Sequence, residues 1–142
     1  MKTIKLNTGV DMPLEGFGVY QIVPEACEAA VLNALETGYR MIDTAQPYYN
    51  EEGLGRAVTA SGLPREDIFV VTKVWISNAG EEKAAASIDA SRANLQSDYI
   101  DLLLIHQPFS DYYGTYRAMQ KALATGKVRA IGLSNFYDAR FI

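Results

Sequence analysis

The 142-residue chain has little of what staples or ligates a small protein. Its one cysteine, Cys27, cannot close an internal disulfide, so a disulfide scaffold is excluded. Its one histidine, His106, cannot build a multi-histidine zinc centre, and no metal is expected. Positive charge is also scarce: 13 Lys and Arg stand against 17 Asp and Glu, a formal net charge of −4. That balance leaves no electrostatic footprint for nucleic acid or for an anionic membrane surface. No apolar run approaches the roughly 18 residues that a spanning helix needs, and the start, Met1 to Lys5, lacks the apolar core of a secretion signal. The expectation is a cytoplasmic protein. No low-complexity segment or charge block marks a linker. What the chain does have, 49% hydrophobic and 11% aromatic residues, suffices for one buried core.

Short apolar runs alternate with longer amphipathic ones. Ile4 and Leu6, then Val10 and Met12, flank the turn-like Asn7-Thr8-Gly9 and predict an N-terminal β-hairpin. A Gly-rich run at 16–19 precedes a helix over 24–37, with Pro24 suited to its first turn and Gly38 to its C-terminal cap. Residues 41–43 read as a strand, and Asn50 is expected to cap a helix reaching Gly62. Residues 64–67 read as a turn. The runs 68–74 and 100–105 are apolar enough for strands buried on both faces, with helices over 81–95 and 113–124 following them. Residues 128–133 supply a fifth strand, and 138–142 read as the first turn of a further helix. Such alternation predicts a parallel sheet. An open doubly wound sheet would need a phosphate loop, but Gln21 stands at the third glycine position after Gly16 and Gly18, and Gly126-Lys127 lacks the rest of a P-loop. The expected fold is therefore α/β, an incomplete (β/α)8 TIM barrel of about five parallel strands and four helices with an N-terminal β-hairpin. Residues 1–142 would be the N-terminal portion of a single barrel domain, since a complete one takes ~250 residues.

Polar residues fall at the C-terminal ends of the predicted strands: Asp43, Lys73, His106, then Ser134 with Asn135. In a barrel these positions converge on the face where chemistry is built. Singly, each has a plain structural reading: Asp43 as a turn cap, Lys73 as a snorkelling cation, His106 as a hydrogen-bonded core residue. Together, a carboxylate, an ammonium and an imidazole in one apolar mouth carry desolvation costs unless they satisfy one another or a ligand. Tyr48 and Tyr49 follow Asp43 in a loop, and either phenol can reach the same mouth. A phenol titrates near ~10 in water. A lysine cation lowers the cost of phenolate, and an aspartate keeps that lysine charged. Asp43, Lys73 and one of the two tyrosines thus form a chain for delivering a proton to a developing alkoxide. His106, as a neutral imidazole, can orient a carbonyl oxygen.

Five ordered stretches carry a resemblance: Leu14-Glu15-Gly16-Phe17-Gly18-Val19-Tyr20; Gly38 to Ala45 continuing through Tyr48 to Asn50-Glu51; Thr72-Lys73-Val74-Trp75; Leu103 to Pro108; and Gly126 to Phe136. Through them the chain resembles the aldo-keto reductase family of NADP(H)-dependent barrel enzymes. His106 to Tyr116 is most similar to bacterial reductases of the diketogluconate reductase and prostaglandin F synthase-like group. The resemblance implies a catalytic tetrad of Asp43, Tyr48, Lys73 and His106, selecting Tyr48 over Tyr49. It implies NADPH (NADP) as cofactor and a small-molecule carbonyl as substrate, reduced by hydride transfer while Tyr48 acts as general acid. Ser134 and Asn135 match the pair that holds the nicotinamide carboxamide, and Val19, Tyr20 and Asp43 match positions lining the cofactor. Tyr20, Tyr48, Trp75 and His106 match substrate-binding positions, while Gln107 and Tyr20 stand where many members carry Trp, and Met41 where many carry His. The residues that grip the adenosine 2′-phosphate belong to the family's second half, so this stretch is expected to be inactive alone and to self-associate through open sheet edges. Two other readings compete. A non-catalytic nicotinamide-binding regulator would not need a proton donor, and a barrel aldolase with Lys73 as Schiff-base nucleophile is disfavoured by Asp43, which keeps that lysine charged.

Overall fold

The computed structural model describes residues 2–137; the helical turn expected over 138–142 lies outside them. Strands β1 (Thr3–Lys5) and β2 (Asp11–Pro13) form the hairpin, with Ile4 opposite Met12 and Gly9 in the left-handed region at φ +84°. There follow β3 (Phe17–Gly18), α1 (Pro24–Thr37), β4 (Met41–Asp43), α2 (Glu51–Ala60), β5 (Phe69–Val74), α3 (Glu81–Asn94), β6 (Leu102–Ile105), α4 (Tyr112–Ala124) and β7 (Ile131–Leu133). Strands β3 to β7 form one five-stranded sheet in sequence order, every neighbouring pair parallel. No helix among the described residues is long and apolar enough to cross a membrane.

Local chemistry explains the boundaries. Pro24 opens α1, where its missing N–H has no helical partner to lose. Gly38 closes the helix at φ +111°, and the N–H groups of Gly38 and Tyr39 bond back to the carbonyls of Leu35 and Ala34. The helix expected to reach Gly62 ends at Ala60, and the strand pair expected from 100 and 128 begins as an isolated Ile100–Val128 bridge before the ladder proper. Helix α2 lies close against α3: a Cβ added at Gly55 would sit 2.6 Å from the Asn94 carbonyl oxygen, so only glycine fits.

The register sorts the sheet into two faces. Ile42, Val70, Val74, Leu103 and Ile105 point toward the helices, where Val31, Leu35, Leu54, Ile88 and Met119 complete the core. Each fully buried aliphatic side chain contributes about 2 kcal/mol to that core. Because side chains alternate along a strand, Asp43, Val71, Lys73 and Leu104 fall on the opposite, inner face. His106, two residues beyond Leu104, keeps the same parity. The period of two thus delivers the acid, the base and the imidazole to one side of the sheet at one end.

Candidate active site

Lys73 lies on β5, next to β4, where Asp43 is the last residue. Its Nζ donates to Asp43 Oδ1 at 2.7 Å, to Asp43 Oδ2 at 2.8 Å and to the Thr44 carbonyl at 2.9 Å. All three ammonium hydrogens are therefore engaged. Lys73 is buried, whereas 36% of the Asp43 side chain remains open. Such charge-assisted hydrogen bonds are short and fix the ammonium in place.

Tyr48 ends a single 3₁₀ turn, Gln46–Tyr48, and Tyr49 follows in the left-handed region at φ +55°. This reversal separates the two phenols. Tyr49 is 82% exposed, whereas half-buried Tyr48 lines a cavity of about 370 Å³ together with Tyr20, Pro47, Trp75, His106 and Gln107. The Tyr48 ring lies 5.0 Å from that of Tyr20 and 5.7 Å from that of His106, and the Trp75 ring lies 5.0 Å from His106. Tyr20, Tyr48, Trp75 and His106 are thus brought together around one opening.

The electrostatics differ from the sequence expectation at one point. Burial pushes the Tyr48 phenol above its ordinary value, and the Asp43 carboxylate and Tyr20 push it the same way. The expected lowering by Lys73, whose Nζ sits 5.4 Å from the centre of the Tyr48 ring, is outweighed by that burial. His106 follows expectation: burial lowers its pKa, the Lys73 charge lowers it further, and Asp43 opposes them. The imidazole is therefore mainly neutral near pH 7. Its Nδ1 is buried with no hydrogen-bond partner among the described residues.

Ser134 and Asn135 leave the end of β7, with Asn135 in the left-handed region at φ +61°. Asn135 Nδ2 donates to the His106 carbonyl at 2.8 Å and to Ser134 Oγ at 3.1 Å, which fixes the pair beside the cavity strand. Val19 is not brought to the opening. Its side chain is fully buried in the core, its N–H donates to the Asp43 carbonyl at 3.0 Å, and the neighbouring Tyr20 takes the position at the rim. Asn50 also departs from expectation. It stands at the helix start, yet its side chain makes no capping bond to α2. Instead its Nδ2 donates to the carbonyls of Val19 and Ile22, both at 3.0 Å, and its Oδ1 accepts from Thr44 Oγ1 at 2.7 Å. Thr44 in turn accepts Lys73 through its carbonyl, so Asn50 braces the floor of the site. Residue-type reasoning missed this because a buried asparagine before a helix has the sequence signature of a cap.

Residues 15–141 match the aldo/keto reductase family. A glyoxal reductase of Bacillus subtilis is 47% identical over 137 residues, which make up 94% of this chain and 49% of that protein. A 9,11-endoperoxide prostaglandin H2 reductase of Trypanosoma cruzi is 47% identical over 135 residues, 94% of this chain and 48% of its own. The crystal structure of an aldo/keto reductase from Brucella melitensis aligns with a TM-score of 0.95 at 45% identity, covering 98% of this chain and 56% of that one. The chain spans about half the length of these curated relatives. Its hairpin, four helices and five parallel strands accordingly form part of a (β/α)8 barrel. On the family match and the shared architecture, the chain belongs to the aldo/keto reductase family.

Proposed function

We propose that this site serves the NADPH-dependent reduction of a small aldehyde or ketone, with Tyr48 giving its proton to the carbonyl oxygen. The observation that carries the reading is the doubly hydrogen-bonded Lys73–Asp43 pair beside Tyr48, with Lys73 Nζ 5.4 Å from the centre of the ring that walls the cavity together with His106. NADPH, when bound, supplies the hydride for the carbonyl carbon. The residues present fit its nicotinamide end: Ser134 and Asn135 would hold the carboxamide, and Tyr20 would line it. Tyr48 keeps its proton until a strongly basic alkoxide develops, since burial and Asp43 both favour the neutral phenol. Once the proton moves, the nearby Lys73 ammonium lowers the cost of the phenolate left behind. Asp43 keeps that ammonium charged and aimed. With its proton on Nε2, the neutral His106 ring would orient the carbonyl oxygen. The full engagement of Lys73 Nζ speaks against a Schiff-base aldolase, which needs a free amine.

The test is loss of NADPH absorbance with a simple aldehyde, in this chain and in one extended to barrel length. The extended protein is expected to turn over, and Tyr48→Phe to lower its kcat by about 10²- to 10⁴-fold with little change in NADPH affinity. Unchanged turnover in Tyr48→Phe would remove Tyr48 as the acid. The 142-residue chain itself is expected to be inactive and to self-associate through the edges of β3 and β7. A concentration-independent monomer in size-exclusion chromatography contradicts that last point.

A further inference from the structure

The turn that carries Tyr48 and the loop that carries Trp75 belong to different βα units, yet one side chain joins them. Gln46 opens the Tyr48 turn. Its Oε1 accepts from the Trp75 backbone N–H at 2.9 Å and from Asn78 Nδ2 at 2.9 Å. Its Nε2 donates to Ser91 Oγ at 3.2 Å and to the Ser87 carbonyl at 3.4 Å, both on α3. A carboxamide offers two acceptor sites and two N–H donors, and here all four are used. By contrast, the backbone N–H groups of Tyr48 and Tyr49 bond only to Ala45 and Gln46, inside the same turn, and so do not locate it against β5. Tyr48 and Trp75 each meet the His106 ring edge-on, forming two walls of the cavity. A polar side chain that fills no part of that cavity therefore holds its two walls in register.

We propose that Gln46 is a positioning residue that sets the separation of Tyr48 and Trp75, and with it the size of carbonyl compound that fits beside the proton donor. The consequence for substrates rests on the reductase reading; the tie itself does not need turnover to be observed. Trp75 is the chain's single tryptophan, so its fluorescence reports the wall directly. Gln46→Met keeps the length of the side chain and removes its four hydrogen bonds, while Gln46→Glu keeps an acceptor for Trp75 and Asn78. In the Met variant the Trp75 emission is expected to shift to longer wavelength and its quenching by acrylamide to increase, whereas the Glu variant stays nearer the parent. In the barrel-length protein Gln46→Met is expected to lower kcat/KM by on the order of tenfold, with NADPH affinity unchanged and the largest rise in KM for the bulkiest aldehyde. Gln46→Asn, one methylene shorter, carries the same expectation where the Met variant does not fold. A folded Gln46→Met protein with parent-like emission and quenching overturns the proposal, as does an equal loss of kcat/KM in the Met and Glu variants. An inactive parent protein sinks the reductase reading alone, and the quenching comparison then decides the tie.

Discussion

The two ends of the parallel sheet each set an aspartate among cations, and they use it differently. At the N-terminal ends of the strands, Asp101 is 1% exposed and both its oxygens are taken: Oδ2 accepts from Arg65 Nη2 at 2.8 Å and from the Val70 N–H at 3.0 Å, and Oδ1 accepts from Arg129 Nη1 at 3.0 Å. The Tyr99 ring lies 4.3 Å from the Arg65 guanidinium and 5.4 Å from that of Arg129. These residues precede β5, β6 and β7, so the cluster knots three strand entries together. At the C-terminal ends, Asp43 has one cation, a partly exposed side chain, a neighbouring phenol with no hydrogen bond and an imidazole with an unpartnered nitrogen among the described residues. Closed polar clusters hold strands together, whereas polar groups left unpartnered at the other end are what a ligand can use.

The strongest way to break this comparison is to remove each aspartate in turn. Asp101→Ala strands two guanidiniums and the Val70 N–H, and is expected to cost about 3 kcal/mol in urea unfolding, the low end for a broken buried pair because both arginines can reach water. Asp43→Ala is expected to cost less, since its carboxylate is already partly hydrated and Lys73 keeps the Thr44 carbonyl as a partner. In the barrel-length protein the order reverses for turnover, with Asp43→Ala inactive and folded Asp101→Ala near the parent. Equal stability losses at the two sites would mean that the active end is as much a structural clamp as the other.

Much of the active end was legible in the sequence. Pro24 and Gly38 bracket α1 as read, and Asp43, Lys73 and His106 stand at the C-terminal ends of β4, β5 and β6 as read. The Asp101 cluster carried no such signal. Arg65 falls in the turn read over 64–67, Asp101 and Arg129 fall inside the strands read over 100–105 and 128–133, and only the register of three strands makes them neighbours. Gln46 was hidden for the same reason, because its four partners lie in the β5–α3 loop and on α3, 29 to 45 residues away. The direction of the Tyr48 shift was missed because burial sets it first, with Asp43 and Tyr20 adding to it, and spacing does not encode how deeply a loop side chain is buried. Asn50 was legible in position and misread in role, since burial turned a capping side chain toward the carbonyls of the β3–α1 loop.

A gentler probe of the same contrast is pH. Burial and Lys73 hold the His106 pKa below its ordinary 6.5, so in the window beneath 6.5 the unfolded chain binds the proton that the folded site resists. The stabilisation from a neutral His106 is therefore complete above about pH 6.5 and is lost as the pH falls through that window to the depressed folded value. Because His106 is the chain's single histidine, replacing it isolates the effect. Urea unfolding between about pH 5 and 8 should show the parent losing stability on the acid side more steeply than His106→Phe. The buried Asp101 cluster contains no imidazole, so Asp101→Ala should lower the whole curve without removing that slope. A parent and a His106→Phe protein with parallel curves would mean that the imidazole titrates as it does in water, and the active end would then be less desolvated than its buried Nδ1 indicates.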